Sequence, residues 1–348
     1  MDANLKITLG DSSDFRAWDD YVSQSPLATL SHKGSWRHII TQAYGHSTFY
    51  LMARRGDEVV GILPLVWVKS AFLGHALSSM PYQDYGGIVA DDPSVGRLLL
   101  DHALDLRKTC RAPLLELRHR EPPAHDGKAS LRTDKAVMLL DLPQGSDFLW
   151  KNLSGKVRNQ VRKAQKSGLT THLGGSELLD DFYKVFVVNM RDLGSPVHHV
   201  SFFSAIFSEF GENARLLVVR DNNKTVGGLI GLFYKDTIVV PWASSLRESF
   251  SKCPNNLLYW DAIQIACDRG CKIFDFGRSS IDSGTYNFKL QWGAKPVQLN
   301  WQYFYSHGKP VQLPEESAKY RLAATIWSHL PPSLTAFLGP PLRKYLTN

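Results

Sequence analysis

Apolar and polar positions repeat along the chain in one recognisable block. The stretch GHSTFYLMARRGDEVVGILPL predicts a strand, a polar turn over Arg55–Glu58 and a second strand. GENARLLVVRDNNKTVGGLIGL predicts the same hairpin, with its turn at Asp221–Lys224. Laid over one another without gaps, Gly45 falls on Gly211, Leu51 on Leu217, Arg54 on Arg220, Val60 on Val226, Gly61 on Gly227 and Leu63 on Leu229. A helical pattern precedes each hairpin, over Trp36–Tyr44 and Phe202–Phe210, and each ends at a glycine in the C-cap position. After each hairpin come another apolar strand, a long helix and a short strand. The helices are about Ser94–Arg107 and NNLLYWDAIQIACDRG from Asn255, and the closing strands are LLELRH and KIFDFG. Helix, hairpin, strand, helix, strand implies a mixed α/β sheet flanked by helices. Solenoid repeats recur every ~20 to 50 residues, so this longer spacing predicts two homologous domains.

Length agrees with that division, since 348 residues exceed what one core usually serves. The expected domains are 1–142, 143–312 and a helical tail over 313–348, with the junction near Leu142–Gly145. The segment RHREPPAHDGKASLRTDKA, rich in Pro and charge, reads as an exposed excursion. The first residues show no basic start followed by an apolar run, and no stretch approaches about 20 apolar residues, so a cytoplasmic protein is expected. Cys267 and Cys271 lack partners at zinc-site spacing, and the four cysteines read as reduced structural thiols.

A formal charge of +7 predicts attraction to anions, and the position of the charges decides what that means. LSGKVRNQVRKAQKSGL reads as a helix capped by Ser154 and closed by Gly168, carrying Lys156, Arg158, Arg162, Lys163 and Lys166 with no acid among them. Like charges at i, i+4 repel, so an anionic partner is the natural compensation; a solvated face is the bland alternative. FDFGRSSIDSGTYNFKLQWG reads as a strand entering a loop that bears Asp275, Arg278, Tyr286, Lys289 and Trp292. There an Arg can grip a phosphate or carboxylate, and a Lys can meet a developing oxyanion. SSMPYQDYGG breaks regular structure around Asp84 and Tyr85, and a carboxylate there could orient or deprotonate an attacking amine. The candidate binding residues also include Trp242. His198 and His199 follow a Gly-Ser-Pro break and read as loop residues. Nucleotide P-loop, GxGxxG, HExxH and GxSxG signatures are absent, which argues against NTP hydrolysis, zinc proteolysis and serine-hydrolase chemistry.

At KVRNQVRKA, NMRDLGSPVH, PNNLLYWDAI, FDFGRS and GTYNFKLQWG the sequence resembles the FemAB family, in particular the FemAB-like proteins encoded with exosortase (PEP-CTERM) and exopolysaccharide systems. The resemblance runs from about Ala17 to Tyr305. It implies tandem GNAT-like domains and transfer of an acyl or aminoacyl group to an amine of a nucleotide- or lipid-linked cell-wall or exopolysaccharide precursor. It also implies that Lys156, Arg158, Arg162 and Lys163 serve phosphates, that Phe288 and Lys289 match a Phe-Lys pair in which the Lys serves transfer, and that Asp84 takes a functional position. Met80 stands where the family pattern has Gly. No bound cofactor is implied, and the donor is aminoacyl-tRNA or acyl-CoA. The long helical arm of some Fem proteins has no room here. The glycine-rich pyrophosphate turn of acetyl-CoA enzymes is missing before Asn255, where LRESFSKCPNN stands. The nearest rival is an acyl-CoA-dependent N-acyltransferase acting on an amino sugar or lipid; a non-catalytic binder of RNA or anionic glycan is the other. The tail mixes apolar residues with Arg321, Arg343 and Lys344, which allows peripheral membrane contact, although its proline pairs favour helices docked on the body.

Overall fold

A computed structural model describes residues 4–70, 74–122, 129–142, 145–306 and 318–347. Fifteen strands are described: β1 Leu5–Leu9, β2 Ser47–Arg55, β3 Glu58–Ser70, β4 Gly74–Ser78, β5 Val89–Ala90, β6 Leu114–His119, β7 Ser130–Arg132, β8 Lys135–Asp141, β9 Leu169–Gly174, β10 Ala214–Asp221, β11 Lys224–Tyr234, β12 Thr237–Ser245, β13 Ile273–Ser280, β14 Lys295–Gln298 and β15 Asn300–Tyr305. The helices are α1 Phe15–Gln24, α2 Ser35–Tyr44, α3 Pro93–Thr109, α4 Gly145–Asn152, α5 Gly155–Lys166, α6 Leu179–Asp192, α7 Val200–Phe210, α8 Pro254–Asp268, α9 Gly284–Leu290, α10 Ala318–Ser328 and α11 Pro332–Arg343. None is long and apolar enough to cross a membrane.

The strands form two mixed sheets, ordered β1-β2-β3-β4-β6-β15-β7, with β5 on β3, and β14-β8-β13-β12-β11-β10-β9. The duplication read in the sequence holds to the register. Leu51 pairs with Leu63 and Leu217 with Leu229, and the ladders slip at the equivalent steps Ala53/Arg54 and Val219/Arg220. The helices before the hairpins end as expected, Gly45 in the left-handed region and Gly211 at φ 49°. One ion pair is duplicated too: Arg54 holds Asp14 at the start of α1, and Arg220 holds Asp181 in the first turn of α6.

The division along the chain differs from the expected boundaries. The first unit takes 1–135, 298–312 and 344–348, and the second 136–297 and 313–343. The reason lies in the pairing. β15, expected to close the second half, hydrogen-bonds between β6 and β7 of the first sheet, whereas β8 already belongs to the second. Part of the expected exposed excursion is therefore strand β7; residues 123–128 of it lie outside the described residues, as do 143–144 at the expected junction.

In the first unit, Leu51, Leu63, Leu65 and Leu115 pack with Val95, Leu99 and Ala103 of α3. The loop after β4 is pinned by its backbone. Arg118, fully buried, pairs with Glu116 and donates to the carbonyls of Gln83 (2.6 Å) and Thr347 (2.7 Å), and its guanidinium stacks on Trp301. In the second unit, α8 buries Leu257, Leu258, Ala262 and Ile263 against Leu217, Val219, Leu229 and Phe274. The other face carries α6 and α7; a Cβ at Gly228 would stand 3.0 Å from the Phe182 ring of α6, so that helix packs tightly on the sheet there.

His198 and His199, both before α7, face opposite ways. His199 is exposed and caps α7 through Nδ1, whereas His198 is buried, stacks on Phe202 and accepts from Arg343 Nε at 3.1 Å. Burial, aided by the Arg343 charge, holds the His198 imidazole well below its ordinary pKa, and burial lowers His46 as well. Both sites bind fewer protons folded than unfolded, so stability is full above about pH 6.5 and falls as the pH drops below it, by up to ~1.4 kcal/mol per pH unit for each histidine. Thermal melts from pH 8 to pH 5 should show this loss, and His198→Gln, which keeps an acceptor for Arg343, should flatten the part due to His198.

Candidate active site

The second unit contains a break in its sheet. β12 and β13 run parallel, but their ladder covers only Thr237↔Ile273, Ile238↔Phe274 and Val239↔Asp275 among the described residues. Beyond it, β12 stays bonded to β11 through Ser245, while β13 runs on to Ser280. The cause is legible in TIVVPWASS. Leu232 pairs with Val239 but Ile230 with Trp242, so β12 carries one extra residue, a bulge at Val240–Pro241. Proline has no N–H to donate to a ladder, and a bulge bends its strand. It also changes which face the side chains take. Ile238 and Val240 join the α8 core, whereas Trp242 joins His198, Phe202 and Phe203 on the opposite face.

The first unit repeats the short parallel ladder, Ala76–Ser78 against Leu114–Glu116, but there a loop of the same unit fills the space beyond the ladder. Ser79 N–H donates to the Glu116 carbonyl, Gly86 N–H to that of Arg118, and Trp301 Nε1 to that of Asp84. Among the described residues the second unit's break has no such loop, which makes it the candidate active site.

Lys289 lies at the end of β13. The segment after Ser280, expected as loop, contains the short helix α9, because the Ser283 hydroxyl accepts from Tyr286 N–H at its start; Arg278 accordingly sits on the strand. That turn of helix brings Lys289, 7% exposed, onto the strand, where Nζ donates to the carbonyls of Gly277 (2.9 Å) and Arg278 (3.0 Å). Asp275, buried on the same strand, accepts from Gly277 N–H at 2.8 Å. Trp292, expected as a binding residue, lies within the core with Tyr259 and Phe276, and Tyr286 and Phe288 pack, partly buried, against it. Ser279 Oγ and Trp292 Nε1 are buried with no hydrogen-bond partner among the described residues, an arrangement costly in a finished interior.

The basic helix forms as expected, with Ser154 capping α5 and Val157, Val161 and Ala164 buried. Lys156, Arg162, Lys163 and Lys166 are exposed, with no carboxylate at ion-pair distance among the described residues, and Arg158 Nε is buried unpaired. Gln160 accepts from Asn256 at the first turn of α8, which places α5 beside that helix's positive end. Ser245 of β12 donates to Asn255 on the same turn. Strand break, helix N-terminus and basic helix therefore adjoin. Asp84, half-buried, and Tyr85, buried, belong to the first unit. Sequence reasoning missed Pro241, whose place inside a β-branched run was a readable sign of a bulge. It also missed Ser279, which nothing in the sequence separates from Ser280.

Residues 151–290 match the family described as the acetyltransferase (GNAT) domain. Several solved structures share the fold. "Crystal structure of FemX" superposes at TM-score 0.64 and 15% identity, covering 85% of this chain and 96% of that one. A tandem GNAT protein from the clavulanic acid biosynthesis pathway reaches 0.57 at 12% identity, covering 88% of this chain and 100% of that one. L-PGS from Bacillus licheniformis reaches 0.55 at 10% identity, covering 92% and 97%. A comparison with curated proteins finds no match. Residues 151–290 thus carry a GNAT acyltransferase domain, and the chain as a whole shares the two-sheet mixed α/β fold of FemX and of that tandem GNAT protein.

Lys289→Met keeps the side-chain length but leaves two carbonyls without their donor, at a cost of about 1–3 kcal/mol. Denaturant unfolding should show that loss, and hydrogen exchange should accelerate at residues 277–280.

Proposed function

We propose that the protein transfers an acyl or aminoacyl group from an activated ester or thioester to an amine of a nucleotide- or lipid-linked cell-wall or exopolysaccharide precursor. The observation that carries this reading is the parting of β12 and β13 beside Lys289, within a GNAT domain. Backbone groups of 240–245 on the side of β12 that faces β13 are left without that strand as partner, and an extended donor rich in amides can take its place. The donor's phosphates lie on α5 and the first turn of α8, where cations and a helix dipole act together. The acceptor's neutral nitrogen attacks the acyl carbonyl; a C–N bond forms, the bond to the donor's oxygen or sulfur breaks, and the amine's proton leaves to solvent or to the departing group. Lys289, nearly buried, stabilises the oxyanion of the tetrahedral intermediate by donating to it. Fold similarity to FemX and the resemblance at FDFGRS and GTYNFKLQWG support a glycan-precursor amine as acceptor.

Two donors meet these requirements. The GNAT domain match favours acyl-CoA, whereas the residues before α8 favour another handle. Arg247–Lys252 form a 3-10 turn with side chains on every residue, and Cys253 N-caps the helix in the left-handed region, where acetyl-CoA enzymes use glycine.

A mass-spectrometric assay should offer acyl-CoAs and charged tRNAs in parallel with UDP-linked and lipid-linked amino-sugar and peptidoglycan precursors. A mass gain on an amine acceptor is expected from one donor class, and that class assigns the donor. Lys289→Ala should lower kcat by about 100-fold or more if it serves the oxyanion. Arg162→Glu with Lys163→Glu should raise the donor KM with little change in kcat, and Asp84→Asn tests the carboxylate singled out by resemblance. Full turnover by folded Lys289→Ala would remove that residue from the chemistry.

A further inference from the structure

The tail carries its apolar residues on the wrong side for a helix that only packs on a protein. α10 and α11 dock on the second unit through small residues. A Cβ at Gly339 would stand 2.9 Å from the backbone nitrogen of Val197, and one at Gly194 would stand 2.6 Å from the carbonyl oxygen of Ala324. Thr335, Gly339 and Pro340 are the buried positions of α11. The large side chains face outward: Leu322 (62% exposed) and Ile326 on α10, and Leu334, Phe337 (77%), Leu338 and Leu342 on α11. Leu334, Leu338 and Leu342 recur every four residues and so make one stripe. The close glycine contacts fix the helices in this orientation, so the stripe cannot roll inward without opening the docking face. Pro340 and Pro341, expected to interrupt the helix, lie inside α11.

Charge selects the occupant. From 318 to 348 the sequence contains Lys319, Arg321, Arg343 and Lys344 and no Asp or Glu, with Tyr320, Trp327 and Tyr345 among them. An outward apolar stripe in a segment whose only charged residues are cations complements an anionic lipid surface, where apolar groups enter the acyl boundary and cations meet headgroups. We infer that α10 and α11 form a membrane-surface docking face for an anionic bilayer, bound peripherally. This rests on the tail's own geometry and stands whichever acyl donor is used.

The test is flotation of the full chain with phosphatidylcholine vesicles, with and without phosphatidylglycerol, beside light scattering without lipid. Binding is expected on the phosphatidylglycerol vesicles, weakening as salt rises. Combined Leu322→Ser, Ile326→Ser and Phe337→Ser should weaken it at least about tenfold, with the thermal midpoint retained because these side chains are more than half exposed. Arg321→Glu should weaken it to a smaller extent. Absence of binding to either vesicle would overturn the inference. So would a wild-type dimer that the triple variant splits while vesicle binding stays unchanged, since the stripe would then join two copies of the chain.

Discussion

The active site proposed for the second unit depends on a short parallel ladder that stops. Two parallel strands with apolar sequences normally continue to pair, because every unpaired buried N–H and C=O carries a penalty. Here one inserted residue at Val240–Pro241 bends β12, takes away a donor and sends Trp242 to the opposite face. The polar backbone beyond it loses its neighbour, and Lys289 answers part of the loss by donating to two carbonyls of β13. The middle of the sheet thus keeps a stretch where β12 and β13 are not paired, with a lysine amino group held on β13 beside it. That is the kind of place where a reacting carbonyl can be held without rebuilding the protein at each turnover.

The two units show what duplication preserves and what it releases. Hairpin register, slip position and the Arg-to-helix ion pair are the same in both, because they keep the sheet and its first helix together. The region after the parallel ladder is free of that duty, and it differs. In the first unit Arg118 and Trp301 tie the returning loop by its carbonyls, so its polar backbone is satisfied internally. In the second unit no such loop follows the ladder among the described residues, and β12 beyond Val239 is not paired with β13.

Much of this was legible in the chain. Periodicity, turn residues and the glycine caps gave both hairpins, both long helices and the basic helix, because each is decided by residues close in sequence. Sheet membership was not legible. β15 follows β14 after a single residue yet joins the other sheet, a choice made by partners about 180 residues away, such as Leu117 opposite Gln302. At the site, Lys289 and Arg278 stood out by charge. Their setting on a helix turn and a strand, instead of one loop, turned on a single Ser283 cap that local pattern does not weigh strongly.

The exchanged strand bears on how the protein is born. A ribosome releases the chain from its N-terminus, and β15 emerges only after the second unit's last strand. Until then β6 is paired on one side only, by β4, and β7 lacks the strand to which it bonds. The first unit must therefore wait, with an open edge of alternating apolar residues, through the synthesis of some 160 residues of its sibling. Chaperone demand should be greatest for the half that is made first.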